Sequence, residues 1–322
     1  MMRSDKFIGV DLGGTNLKGV VVDRSGRVLL EKMVSARTEK GPAAVIHTMT
    51  DLVSDLNGET GGPSKQCAVG VAAAGVVDIW KGVCKWLPNL PGWKDIPLTQ
   101  ILEERLGLQS FLINDVRAMT LEEKTVGAGV GVKNLVCMAI GTGIGGGIVV
   151  QDMLCFGGEG FAGEIGHQAV EPQGPKCTCG NYGCLEAVAS GASIIFHAIR
   201  MVKQGATTTI RDLAKNDVNN ITAEMVAQAA HDGDAVAREI WDKEAFYLGV
   251  GITNLIMILN PEMIILGGGV AKAFDLLIGG IRNTVSSRIH LGPDVDSLKI
   301  VPCQLGDFSG AIGAALWAKQ NS

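Results

Sequence analysis

The sequence predicts a layered α/β fold in two domains. Three observations carry that expectation. Strand-like and helix-like segments alternate along the chain. A strand, glycine turn, strand unit occurs twice, as FIGVDLGGTNLKGVVVD (Phe7 to Asp23) and LVCMAIGTGIGGGIVVQ (Leu135 to Gln151), which implies two related domains facing a shared cleft. The chain has 322 residues, 47% of them apolar: too long for one ordinary core, with enough apolar material for two.

The elements follow in order. Lys6 to Asp11 and Leu17 to Asp23 read as strands joined by a Gly-Gly turn, with a third strand near Val28 to Val34. Residues 42 to 57 read as a helix, Gln66 to Ala72 as a buried strand, and Pro97 to Leu106 as a helix stopped by Gly107. Gln109 to Ile113 is a strand, and Asp115 opens the next helix. A long apolar helix covers about Asp234 to Leu259, followed by a strand at Met263 to Leu266, the turn Gly267-Gly268-Gly269 and another helix. A short helix, Ser309 to Gln320, closes the chain.

Composition excludes several classes. Net charge is -5 and no dense Lys/Arg run occurs, which argues against a nucleic-acid surface. The start, MMRSDKFIGVDLGG, lacks the apolar stretch and cleavage site of a signal peptide. The longest apolar run, Ala68 to Val77, is about half of what spans a bilayer. The expectation is a cytoplasmic protein with no membrane and no nucleic-acid partner. Cys67, Cys84, Cys137, Cys155 and Cys303 are scattered and read as small hydrophobes.

The glycine turns suggest phosphate chemistry. In Asp11-Leu12-Gly13-Gly14-Thr15, glycines let backbone N–H groups approach phosphate oxygens, Thr15 adds a hydroxyl, and Asp11 can hold Mg²⁺ through water. An ordinary hairpin turn is the competing reading. Lys18 can neutralise phosphate or be a plain surface lysine. The turn Gly141 to Gly147, with Thr142 and Gly143, is no dinucleotide fingerprint, because it runs into a strand and not a helix. Gly268 and Gly269 precede a helix, where an anion or a flat nucleotide can lie against backbone.

His167, Cys177, Cys179 and Cys184 offer one imidazole and three thiols, a set that Zn²⁺ takes tetrahedrally in closed structural sites. Gly180 and Gly183 let the short loop wrap an ion. The spacing is not a standard zinc finger, and three reduced thiols on a loop is the alternative. Asn114-Asp115 after an apolar strand fits a helix cap. Glu186 fits a first-turn helix glutamate and Glu164 a solvated loop residue; both can also accept hydrogen bonds from adjacent hydroxyls.

Together, DLGGTNLKG, GTGIGGG, E-I-G-H at Glu164 to His167 and C-T-C-G-N-Y-G-C-L-E at Cys177 to Glu186 resemble the ROK family of sugar kinases and repressors, across essentially the whole chain. The resemblance implies an actin-like (ribonuclease H-like) ATPase fold, two lobes around a cleft, with a zinc-containing loop in the larger lobe. The smaller lobe is expected at 1–117 plus 305–322. The larger is expected at 118–304, with the second hairpin, the zinc loop and the triple-glycine turn. It implies ATP-dependent phosphorylation of a hexose at its primary 6-hydroxyl, most like the glucokinases of the family. Relatives acting on N-acetylglucosamine, N-acetylmannosamine, mannose or fructose share most of these residues. Asp115 becomes the general base, and Gly75, Asn89, Asn114, Glu164, His167 and Glu186 become sugar contacts. Gly75 follows Ala74 where the family usually has Pro. ATP falls to Asp11, Gly13, Gly14, Thr15, Lys18, Thr142, Gly143, Gly268 and Gly269. Mg²⁺ and a structural Zn²⁺ are the implied ions, and a homodimer or higher homo-oligomer the implied assembly. Repressors of the family carry an N-terminal helix-turn-helix domain; here the first hairpin begins at residue 7, so a kinase is expected.

Overall fold

The computed structural model describes residues 6–60, 67–290, 292, 294–304 and 306–322. The charged N-terminal residues, and Gln66 and Leu305 at which two expected segments begin, lie outside the described residues. The chain divides into two compact units. The first comprises the described residues up to Gly131, with Leu154–Ala162 and Gln304–Ser322; the second comprises Val132–Met153 and Gly163–Cys303.

The first unit is built on five strands: β1 (Lys6–Leu12), β2 (Asn16–Asp23), β3 (Val28–Ser35), β4 (Ala68–Ala73) and, after the small three-stranded sheet β5 (Val76–Asp78), β6 (Val83–Trp86) and β7 (Lys94–Ile96), β8 (Ser110–Asn114). The main sheet runs in the order β3-β2-β1-β4-β8, with β1 parallel to β4 and β4 parallel to β8. Its strands alternate in the manner of a sheet covered on both faces. Ile8, Val10 and Leu12 join a core with α1 (Pro42–Glu59) and α2 (Leu98–Leu106). Phe7, Val20 and Val22 join another with α3 (Asp115–Val126) and the C-terminal helix Ser309–Asn321.

That C-terminal helix sets the shape of the second core. A Cβ at Gly9 would overlap the carbonyl oxygen of Ala311, and one at Gly70 that of Ala314. Only glycine on the strands admits so close an approach. On the helix, Gly313 meets the backbone of Ala118 in α3 in the same way. Trp317 locks the arrangement by donating Nε1–H to the Leu112 carbonyl, at 3.1 Å.

The second unit repeats the pattern. It holds β9 (Leu135–Ile140), β10 (Ile144–Val150), β11 (Met153–Leu154), β12 (Met263–Gly267) and β13 (Lys299–Pro302), in the order β11-β10-β9-β12-β13. β9 and β10 form the antiparallel hairpin, and β12 runs parallel to both β9 and β13. The helices α4 (Leu185–Val188), α5 (Gly191–Lys203), α6 (Ile210–Leu213), α7 (Ala223–His231), α8 (Ala235–Leu259) and α9 (Phe274–Arg288) pack with it into one core. The repeat predicted from the two glycine hairpins is therefore a repeat of whole sheets. Among the described residues, Leu185–Lys203 alone has the length and hydropathy to cross a membrane. It is broken at Ala189–Ser190, where the Ser190 hydroxyl caps α5 by accepting the Ser193 N–H, and 50% of it is buried in the unit.

The observed division differs from the expected one at two places. A boundary at 117 would cut α3, but α3 packs along the C-terminal helix and stays in the first unit, which extends to Gly131. The segment Leu154–Ala162 also returns to the first unit, because Leu154 and Phe156 pack on the core beside Trp317.

Burial of a carboxylate in this packing has a measurable consequence. Glu122 of α3 is fully buried against Ser309, and burial first, then the neighbouring Glu123, push its carboxyl from 4.5 up to about 8 against the opposing Ser309 hydrogen bond. The folded state therefore binds more protons than the unfolded one between those values, so stability falls as pH rises through that interval. Glu122→Gln keeps the shape and removes the ionisation. Its unfolding free energy should decline less than wild type between pH 5 and pH 9, by on the order of a few kcal/mol. Parallel pH profiles in urea denaturation would show that Glu122 is not the titrating group.

Candidate functional site

In the first unit, the parallel register places the expected residues at one edge. Leu12 pairs with Ala73 and Ala73 with Asn114, so β1, β4 and β8 end level with one another. The carboxyl ends of parallel strands are where α/β proteins bind ligands. Asp11 lies on the same face of β1 as Phe7 and Gly9, with its carboxylate against Gly310 at the start of the C-terminal helix. Burial first, then the charge of Asp115, push the Asp11 carboxyl up to about 6, while Lys18 pulls it down. Lys18 is its cross-strand partner and donates to the Asp307 carbonyl at 2.7 Å.

The cap of α3 is Asn114, not Asp115. Asn114 Oδ1 accepts the N–H groups of Val116 and Arg117 at 3.0 and 3.3 Å, and its Nδ2 donates to the Gly75 carbonyl at 3.3 Å. The capping alternative for Asp115 is thereby taken by its neighbour, and Asp115 stands in the first turn of the helix. Gly75 adopts φ +132°, and a Cβ there would sit 2.6 Å from the Trp86 carbonyl oxygen. Gly13 closes the β1–β2 turn by donating to the Asn16 carbonyl at 3.1 Å, and the Gly14 carbonyl accepts the Thr38 hydroxyl at 2.9 Å. Gly14 and Thr15 are exposed. Asn89 is exposed on a turn anchored by buried Leu87, Leu90 and Trp93, and its carbonyl lies beside Gly14. Asp11, Gly13, Gly14, Thr15, Lys18, Gly75, Asn89, Asn114 and Asp115 thus gather around the strand ends and turns of this unit.

In the second unit, Glu186 is the organising side chain. Its Oε2 accepts the Ile144 N–H at 2.9 Å and its Oε1 the Thr178 hydroxyl at 3.4 Å, with the Cys177 thiol at 3.9 Å. It therefore joins the β9–β10 hairpin to the cysteine loop. Gly143 makes room for it: a Cβ there would overlap Glu186 Oε2. Glu164 is exposed and its carbonyl accepts the His167 N–H at 3.1 Å.

The ligating atoms of His167, Cys177, Cys179 and Cys184 all lie within 4.8 Å of one another. Cys179 and Cys184 Sγ are 3.7 Å apart, and Cys177 Sγ is 3.6 Å from His167 Nδ1. Gly180 and Gly183 have φ of +95° and +61°, which lets the loop turn back on itself. Backbone hydrogen bonding from Asn181 lowers the Cys179 thiol, while burial and the neighbouring thiols push Cys184 up to about 12. A tetrahedral Zn²⁺ with thiolate bonds of about 2.3 Å sets its sulfurs about 3.8 Å apart, so the donor set fits that ion.

Next to this region, a cavity of about 780 Å³ is lined by Gly141, Thr142, Gly191, Phe196, Ala227 and Gly269 among others. Its size and mainly apolar lining suit a small organic ligand. Of the expected nucleotide residues it collects Thr142 and Gly269; Gly143 and Gly268 lie outside its lining. The walls contributed by α5 and α7 were not foreseen. Their one sequence-level signal is Phe196, an aromatic on the exposed side of an amphipathic helix.

The geometry can be set beside known proteins. The sequence pattern of the ROK family matches residues 7–321. The chain belongs to the ROK family. It is 35% identical over 315 residues to the glucokinase of Thermotoga maritima, covering 98% of each chain. It is 29% identical over 308 residues to the xylose repressor of Caldicellulosiruptor bescii, covering 95% of this chain and 76% of the repressor. Among solved structures, a ROK family glucokinase from Streptomyces griseus in complex with glucose and AMPPNP matches with a TM-score of 0.82 at 32% identity, covering 98% and 99% of the two chains.

Gly143 provides a direct check on the role of Glu186. Alanine at an unstrained glycine usually stabilises by about 0.4–1 kcal/mol. Gly143→Ala should instead destabilise by about 1–3 kcal/mol in urea denaturation, because the methyl displaces Glu186 from the Ile144 N–H. A stabilised variant would show that the contact carries no weight.

Proposed function

We propose that the chain is an ATP-dependent kinase that phosphorylates a hexose, glucose foremost, at its primary 6-hydroxyl. The observation that carries this reading is the pair Asp11 and Asp115 at the level ends of parallel strands, beside a glycine hairpin. Phosphoryl transfer needs a group to take the hydroxyl proton and a cationic environment for the phosphates, with positioning supplying most of the rest. Asp115 is the proton acceptor in this reading. Asp11 would hold Mg²⁺, which when bound neutralises phosphate charge. Burial first, and then the charge of Asp115, raise the Asp11 carboxyl, and a bound cation would favour the ionised form. Gly13, Gly14, Thr15 and Lys18 face the phosphates, and Thr142, Gly143, Gly268 and Gly269 belong to the nucleotide, whose base would enter the apolar cavity. Asn89, Asn114, Gly75, Glu164, His167 and Glu186 bind the sugar. The glucokinase relatives support both the reaction and glucose as its acceptor.

We also assign Zn²⁺ to His167, Cys177, Cys179 and Cys184, as a structural ion that holds the loop between Glu164 and Glu186. Four protein ligands leave no open position for chemistry. The assembly in this reading is a homo-oligomer working in the cytoplasm.

Three measurements test these assignments. A coupled assay with ATP and a panel of hexoses and N-acylhexosamines should give the highest kcat/KM with glucose. Sugar binding without turnover on any member would place the chain with the regulators of its family. Glu164→Gln should raise KM for the sugar more than it lowers kcat, as expected for a contact made equally in ground and transition states; a selective loss of kcat would contradict that role. The purified protein should contain about one Zn²⁺ per chain, and Cys179→Ser should lower both metal content and melting temperature, since a structural ion contributes folding free energy. Full stability without metal would overturn the zinc assignment.

A further inference from the structure

The helix that begins at Asp115 is hydrogen-bonded to segments of the first unit that lie near places where the chain passes from one unit to the other. There are four such crossings: Gly131–Val132, Met153–Leu154, Ala162–Gly163 and Cys303–Gln304. Arg117, 3% exposed, donates from Nε and Nη2 to the carbonyl of Ala162, at 3.2 and 2.9 Å. Glu123, 0% exposed, uses both of its oxygens. Oε2 accepts the Ala128 N–H at 2.8 Å, and Oε1 accepts the Gln304 N–H at 2.8 Å. The Glu123 backbone carbonyl takes the N–H groups of Gly127 and Gly129 as well. Leu154 and Phe156, at the remaining crossing, pack on the core that contains Ala118 and Leu121 of α3. Side chains of this one helix of 12 residues thus hydrogen-bond the backbone at Ala128, Ala162 and Gln304, all within the first unit.

Burying a guanidinium and a carboxylate is costly unless their hydrogen bonds are well made. A helix needed only to fill the core would carry apolar residues at these positions. Here the two charged side chains satisfy backbone groups of segments that lie just outside regular structure. Ala128 follows the end of α3, Gln304 follows β13, and Ala162 ends the segment that returns to the first unit. A helix is stiff, and Asp115 stands only about 12 Å from Glu123 along its axis, at 1.5 Å per residue. A displacement of Arg117 or Glu123 therefore moves Asp115.

We propose that Arg117 and Glu123 are positioning residues, whose bonds to Ala162, Ala128 and Gln304 hold α3 and so fix the setting of Asp115 at its first turn. The inference rests on the reading of Asp115 as the proton acceptor, and it adds the contacts that fix the helix carrying that carboxylate.

A double-mutant cycle tests it. Glu123→Gln keeps one acceptor oxygen and sets an NH₂ against one of the two backbone N–H groups. The expected result is a kcat about tenfold lower, with the dissociation constant for the sugar, measured by calorimetry, within about twofold of wild type. In the Asp115→Asn background the same substitution should lower kcat by less than about twofold, because residues acting through one group are not additive. If the two losses multiply, Glu123 acts independently of Asp115 and the proposal fails while the base assignment stands. If Asp115→Asn alone leaves kcat intact, the base assignment fails and takes the proposal with it. Should Glu123→Gln not fold, the cycle is run with Arg117→Lys, which replaces the two-nitrogen grip on Ala162 with a point charge. Non-additive losses then support the proposal, and losses that multiply overturn it.

Discussion

The carboxylates of Asp11 and Asp115 interact electrostatically at the level ends of β1 and β8, and much of the first unit is arranged around them. Burial first, and then the charge of Asp115, push the Asp11 carboxyl up to about 6. Level parallel strands bring them together, and Asn114 takes over the capping of α3 so that Asp115 does not have to. The glycine-rich C-terminal helix lies directly on β1 and β4, with Gly310 against Asp11 and Gly313 against α3. Lys18, across the hairpin, offsets part of the shift by lowering the Asp11 carboxyl. A protein does not stabilise itself by such an arrangement, and strain of this kind is characteristic of sites that await a charged ligand.

The second unit uses the same sheet for another purpose. Its hairpin carries no carboxylate at the position of Asp11; instead Glu186 reaches in from the cysteine loop to hold Ile144. The loop is a poor folding unit by itself, short and rich in glycine, with three thiols close together. A bound ion would turn those thiols into thiolate ligands and so fix Glu186, and with it the hairpin beside the apolar cavity.

The parts of the molecule that were legible in the sequence are those written in local chemistry. The two hairpins were visible because glycine marks a turn wherever it falls between two apolar strands, and the structure places a turn at each. The Cys/His cluster was visible because its donors are close in the chain. The long helix up to Leu259 and the buried Cys67, Cys84 and Cys137 needed only periodicity and hydropathy. What stayed hidden depends on distant packing. The boundary near 117 was misplaced because α3 belongs with a helix nearly two hundred residues later, through the contact of Gly313 with Ala118. The small sheet β5–β7 escaped because its strands are short and half exposed. The walls of the cavity on α5 and α7 read as ordinary amphipathic helices, since nothing local says which face meets a ligand. Whether Asn114 or Asp115 caps α3 could not be chosen from two adjacent capping residues; hydrogen-bond geometry decides it.

In the proposed reaction Asp115 takes the proton from the attacking hydroxyl, and Asp115→Asn is the sharpest test of that role. Asparagine keeps the shape and one acceptor oxygen but cannot take a proton at neutral pH. Calorimetric binding of glucose and single-turnover formation of hexose phosphate from ATP should be measured on the same preparation. Sugar affinity should stay close to wild type, with a turnover rate lower by roughly 10²- to 10⁴-fold. Unchanged turnover with weakened sugar binding would make Asp115 a binding residue and rule it out as the proton acceptor.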